Sequence, residues 1–148
     1  MNQNLLRARL AIYLVFFVCG LLVAAWVSRI PAIKQNLGLS TGELGLILLS
    51  APLGLVLAMP LTGGLIAHLG SRPVLVASAL ANCLALPLLA LAGSGGLLAL
   101  ALFAFGFANA AMDVSMNAQA VEAERRLARP IMSGFHAFFS LGGLVGAA

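Results

Sequence analysis

The chain has 148 residues, of which 62% are hydrophobic and only 8% charged, against roughly 25% charged in a soluble globular domain. With so little polar surface and a mean hydropathy of +1.09, a water-soluble enzyme or binding domain is excluded; at about 20 apolar residues per crossing, the length allows roughly four or five membrane spans and nothing beside them. The formal charge of +4 does not point to a nucleic-acid partner, because the basic residues are scattered at the ends of apolar runs rather than gathered in a patch.

The first apolar run predicts a span over 10–29, with Arg7 and Arg9 before it and Ser28, Arg29 and Pro31 at its end. A secretory signal peptide shares the basic lead, but its apolar stretch is shorter. A second helix is expected over 43–67. It is announced by Ser40 and Glu43, the spacing at which an N-cap hydroxyl and a carboxylate three residues on satisfy each other's backbone donors. Pro52 and Pro60 are expected to kink this helix without ending it, and Gly70, Ser71, Arg72 and Pro73 make a tight turn after it.

The third run, 74–92, carries only Ser78, Asn82 and Cys83 as polar content and can face lipid. Gly93 to Gly96 is too short a turn for anything but antiparallel neighbours, so the fourth run, 97–121, packs beside the third. A charged connection with Glu122, Glu124, Arg125, Arg126 and Arg129 leads past Pro130 into a fifth run, 131–148, too short to cross about 30 Å at 1.5 Å per residue and expected to be cut off. The fold expected is therefore all-α, a polytopic helical bundle with four complete spans and the start of a fifth. Arg7, Arg9, Arg72, Arg125, Arg126 and Arg129 fall on one side, Arg29 and Lys34 on the other, which predicts a cytoplasmic N-terminus by the excess of basic residues in cytoplasmic loops.

Asp113 is the residue that most demands an explanation, since a carboxylate in the centre of a membrane helix costs about 2.5 to 3.5 kcal/mol on insertion scales. Asn109, Asp113 and Asn117 recur every fourth residue and form one polar stripe on the fourth helix, flanked by Met112 and Met116. Such a stripe faces a bundle interior or a water-filled cavity, where a carboxyl suits reversible proton uptake; the alternative is a structural hydrogen-bond cluster. His136, on the fifth helix, stands at a depth from which an antiparallel hairpin would bring it near Asp113 as a proton relay partner, the alternative being a hydrated or backbone-bonded imidazole. Arg29 and His68 read as interfacial residues. Gly142, Gly143 and Gly146 form a small-residue face for close approach of another helix. Cys19 and Cys83 lie inside apolar runs as packing residues, and no spacing for a metal, a nucleotide loop or a nucleophile elbow occurs, so no cofactor is expected.

The segment Gly63 to Arg72 resembles the loop signature of the major facilitator superfamily through Gly63, Leu65, Gly70 and Arg72, with Ala67 standing where the signature carries an acidic residue and Ser71 where it carries a basic one. The run Asp113-Val-Ser-Met-Asn117 resembles the acidic-x-x-x-Asn pattern of the fucose permease-like branch, as do the acidic connection after it, Phe135 to Gly143, and Trp26 to Ser40. The sequence departs from sugar permeases of that branch at Val27, where they are acidic, and Leu102 replaces an arginine common in the fourth helix of antiporters. The resemblance implies twelve helices in two halves that rock about a central site, of which this chain supplies part of the N-terminal half, with helices one, two, four and five lining the cavity.

The function expected is secondary active transport of a small polar solute, a sugar or related metabolite, across a bacterial inner membrane by alternating access, with proton symport through Asp113. The partners expected are the solute, the lipid bilayer, protons and the C-terminal helices of a longer chain. A small membrane protein or half-transporter working in a larger assembly is the alternative. An intramembrane enzyme using Asp113 and His136 is the remote one, since no nucleophile or metal set accompanies them.

Overall fold

The computed structural model describes residues 3–148 and consists of helices α1 (Gln3–Asn36), α2 (Thr41–Leu48), α3 (Ser50–Leu69), α4 (Ser71–Ala90), α5 (Gly95–Leu127) and α6 (Met132–Ala147). Four stretches among the described residues are long and apolar enough to cross a membrane: Leu5–Asn36, Thr41–Leu69, Ser71–Ala90 and Gly95–Leu127.

Local chemistry explains most of the element ends. Ser40 Oγ accepts the Glu43 amide at 3.2 Å while the Glu43 carboxylate accepts the Ser40 amide at 2.9 Å, so the reciprocal cap opens α2 as its spacing predicts. The helix is then interrupted at Leu49, because Pro52 has no N–H for the Leu48 carbonyl and its ring crowds that oxygen. Helical bonding resumes when Leu53 donates to Leu49 at 3.2 Å. Pro52 thus breaks the ladder for one residue, where a simple kink was expected, while Pro60 is carried inside α3. Gly70 alone joins α3 to α4 with φ +83° and ψ 159°, a conformation open essentially only to glycine.

α1 does not stop at Pro31 but runs through it to Asn36. Ile30, Ile33 and Leu37 pack there against the apolar cluster of Leu22, Trp26, Leu89, Leu98 and Leu102, and that packing outweighs the one backbone bond proline removes. α5 likewise continues past Val121 to Leu127, so the acidic connection is largely helical, ending at Ala128 in the left-handed conformation. At 1.5 Å per residue both helices approach 50 Å, longer than a bilayer core.

α5 is the hub of the bundle, packing on α3 and α4 and touching α1, while α6 lies along α1. Two apolar clusters fill the interior. One holds Ile12, Phe16, Leu75, Met112, Met116, Ala123 and Phe135, so the two methionines flanking the stripe are buried core residues. The other surrounds Trp26 and Leu102.

The tightest contacts are made by two helix pairs built alike. A Cβ on Gly20 of α1 would overlap the Phe139 carbonyl oxygen of α6, and one on Gly142 would overlap that of Phe17. In the second pair a Cβ on Gly106 of α5 would overlap the Ala51 carbonyl oxygen of α3, and one on Gly54 that of Phe103. In all four cases the obstructing carbonyl stands three residues before the partner glycine. The pair α1 with α6 and the pair α3 with α5 thus close by the same reciprocal contact. Close backbone approach supplies the dispersion contacts on which helix association in lipid depends. The small-residue face of Gly142 and Gly146 finds its partner in α1.

Candidate functional site

Between the two apolar clusters lies a polar layer. Asn82 of α4 is fully buried and its Nδ2 donates to Asn109 Oδ1 of α5 at 3.1 Å and to the Met112 sulfur at 3.7 Å. Cys19 of α1, also buried, donates its thiol to the same Asn109 Oδ1 at 3.6 Å. Three helices thus converge on one carbonyl oxygen. α4 is accordingly two-faced: Val76, Leu80, Leu84 and Leu88 are exposed, while Leu75, Ser78, Asn82, Ala85 and Leu89 turn inward. Lipid exposure accounts for only half of this helix. Asn82 and Cys19 were not singled out from the sequence as site residues, and the one signal for Asn82 is a lone amide in the middle of an apolar run.

One turn further along α5, the stripe opens to the surface. Asp113 is exposed and Asn117 half-buried, and Asn117 Nδ2 donates to the Asp113 backbone oxygen at 2.9 Å and to Asp113 Oδ1 at 3.2 Å. The three residues of the stripe therefore divide: Asn109 turns into the bundle to meet Asn82, while Asp113 and Asn117 lock to each other on an accessible face. Among the described residues the only ion pair is Arg126 with Glu122 at 2.7 Å, so Asp113 is in none.

His136 does not meet Asp113 in a hydrogen bond. α6 packs along α1 and barely touches α5, so the hairpin that would join the two side chains does not form. The two groups are near enough to interact through space, but the imidazole stands edge-on to Phe16 with ring centroids 5.3 Å apart. Arg29 donates back to the Ala25 carbonyl at 3.0 Å. The other predicted group lies at the turn between α3 and α4: Gly63 and Leu65 sit in the last turns of α3, Gly70 makes the link, and Arg72 is exposed in the first turn of α4. Ser71 beside it accepts Gln119 Nε2 of α5 at 2.6 Å, which ties this turn to the stripe-bearing helix.

Glu124, read from the sequence only as part of a charged connection, has a definite structural role. Its Oε2 accepts the backbone amides of Ile131 at 2.8 Å and Met132 at 2.9 Å, capping α6 from the end of α5. No group of three or more His, Cys, Asp or Glu side chains converges to hold a metal among the described residues.

The membrane-length helices are matched by a family assignment: the model of the Major Facilitator Superfamily matches residues 11–148. The chain belongs to the Major Facilitator Superfamily. It is similar to an uncharacterized MFS-type transporter of Yersinia pestis, with 48% identity over 90% of this chain and 35% of the relative. It is also similar to an uncharacterized transporter of Sinorhizobium fredii, 38% identical over 90% of this chain and 35% of the relative, and to the membrane protein MosC of Rhizobium meliloti, 38% identical over 88% and 32%. The chain thus spans about a third of the length of the curated relatives it matches. No solved structure matches it. As a superfamily member it is a multi-pass membrane protein, and its helical bundle is a partial major facilitator fold.

Proposed function

We propose that the chain forms part of the N-terminal half of a secondary transporter that carries a small polar solute, a sugar or related metabolite, by alternating access across the bacterial inner membrane, with its N-terminus in the cytoplasm. The observation that carries this reading is the carboxylate of Asp113, accessible on an apolar membrane helix, bonded to Asn117 and outside any ion pair among the described residues. A purely structural carboxylate is expected to be buried and fully hydrogen-bonded, because an unpaired one in an apolar setting is costly. Asp113, Asn117 and Asn109 then line the solute path, with His136 at its edge. Proton coupling through Asp113 follows from the same placement, since a carboxyl beside a changing cavity exchanges its proton as the cavity opens and closes to water. The turn at Gly63, Leu65, Gly70 and Arg72 serves as the conformational link between α3 and α4. The family membership supports transport over chemistry on the solute, and the resemblance of Asp113 to Asn117 to the fucose permease-like branch supports a hydroxylated solute.

The test is Asp113→Asn in the whole transporter. The amide keeps the shape and the bond to Asn117 but cannot titrate, so membrane abundance and downhill exchange are expected to persist while gradient-driven accumulation is lost. Normal abundance with undiminished uphill uptake would remove Asp113 from the coupling role.

A further inference from the structure

We infer that Asn82 and Cys19 are positioning residues that hold the Asn109 side chain with its amide nitrogen toward the solute path, so that the site offers a hydrogen-bond donor at Asn109 and an acceptor one helical turn away at Asp113. The inference rests on the solute path proposed above.

The two ends of an asparagine side chain are nearly equal in shape, and only their partners decide which way the group points. Here the Met112 sulfur decides. The thioether can only accept, and it faces Asn82 Nδ2, so reversing the pair would set it against the Asn82 oxygen. In the orientation so fixed the Cys19 thiol donates toward Asn109 Oδ1, whereas in the reversed one its sulfur would accept and its proton would be free. Asn109 Oδ1 is consequently occupied by both Asn82 and Cys19. Its Nδ2 donates to no protein group among the described residues and is not sealed from solvent.

Asn82 also has a feature that packing does not explain. Its Oδ1 is buried without a hydrogen-bond partner among the described residues, an arrangement that costs free energy and that a leucine at the same place would avoid. The end of Asn82 that does bond is its Nδ2, which meets Asn109 and Met112.

The solute chemistry follows from the two groups presented. Asn109 offers N–H, and Asp113, four residues and about 6 Å along the helix, offers its Oδ2, since Oδ1 is taken by Asn117. A neutral polyhydroxylated solute of pyranose size fits both, because each hydroxyl donates or accepts as its neighbour requires.

The experiment uses the whole transporter in proteoliposomes with two readouts. The first is the infrared S–H stretch of Cys19, identified by its loss in Cys19→Ala. It is expected at a lower frequency than that of a free thiol and is expected to move to the free position in Asn109→Leu. The second is uptake of radiolabelled D-glucose, D-galactose, L-fucose and myo-inositol with their singly deoxygenated analogues. For the panel member carried, the analogue lacking the hydroxyl at Asn109 is expected to show a KM about tenfold higher, the worth of one neutral hydrogen bond. In Asn82→Leu that difference should vanish because the parent solute's KM rises, with maximal rate and the discrimination at Asp113 held within about twofold.

A free-thiol frequency for Cys19 in the unaltered protein overturns the lock, whatever is transported and whether or not Asn82→Leu folds. Unchanged discrimination in Asn82→Leu overturns the positioning role while leaving transport intact. A bonded thiol together with uptake of no panel member supports the lock and refutes the hydroxylated solute, both here and in the proposed function.

Discussion

The backbone carbonyl of Phe17 faces Gly142 across a contact that leaves no room for a Cβ. Ala51 stands in the same relation to Gly106, so two helix pairs distant in sequence close by one device. Membrane helices have little hydrophobic force pressing them together, and such contacts hold the pairs by dispersion between backbones.

Substitution at these glycines therefore acts through overlap. Gly142→Ala and Gly106→Ala are each expected to destabilise the bundle by about 1–3 kcal/mol, the usual cost of overpacking. Gly64→Ala, where a Cβ meets nothing, is expected to be neutral or to gain a fraction of about 1 kcal/mol from helix propensity. Thermal unfolding of the purified protein in detergent checks the contrast. Equal effects at the three positions would argue against the packing account.

Gly70 tests backbone conformation rather than space, since a Cβ there also meets nothing but φ is +83°. Gly70→Ala is expected to cost about 1–3 kcal/mol from strain alone. Because the substitution sits at the joint of α3 and α4, amide exchange at Ser71 and Arg72 should accelerate while that of the α1 and α6 interface is unchanged.

The Glu124 carboxylate holds the first amides of α6. Glu124→Ala should loosen that terminus by about 1 kcal/mol, as loss of an N-cap does. Hydrogen exchange at Ile131 and Met132 should then rise roughly fivefold, with little change at Phe139 and beyond.

What the sequence discloses and what it hides divide along a physical line. Features set by neighbours in the chain are legible: the Ser40 and Glu43 cap, the apolar spans, and the Gly93 to Gly96 turn that makes α4 and α5 neighbours. Features set by helix rotation are not. A single Asn82 in an apolar run gives no hint that it meets Asn109, and the small face of Gly142 and Gly146 does not say that α1 is its partner. Pairing α6 with α1 also leaves His136 and Asp113 without a hydrogen bond to each other, since depth in the membrane is readable from the sequence and lateral position is not. Pro31 misled for a related reason, because tertiary packing of Ile30 and Ile33 carries the helix through it.

The distribution of arginines bears on orientation. Cysteine placed at position 125 is expected to be shielded from an impermeant maleimide in intact cells and cysteine at position 34 to react, both in a background lacking Cys19 and Cys83. The reverse pattern would invert the proposed topology.

If the α5 stripe faces the solute path and not lipid, as proposed, water reaches positions 113 and 117. With Cys19 and Cys83 removed, Asp113→Cys and Asn117→Cys in the whole transporter are expected to react with a small charged thiol reagent, and Leu100→Cys, on an exposed apolar face, is expected not to. Protection of positions 113 and 117 together with labelling at position 100 would contradict the account.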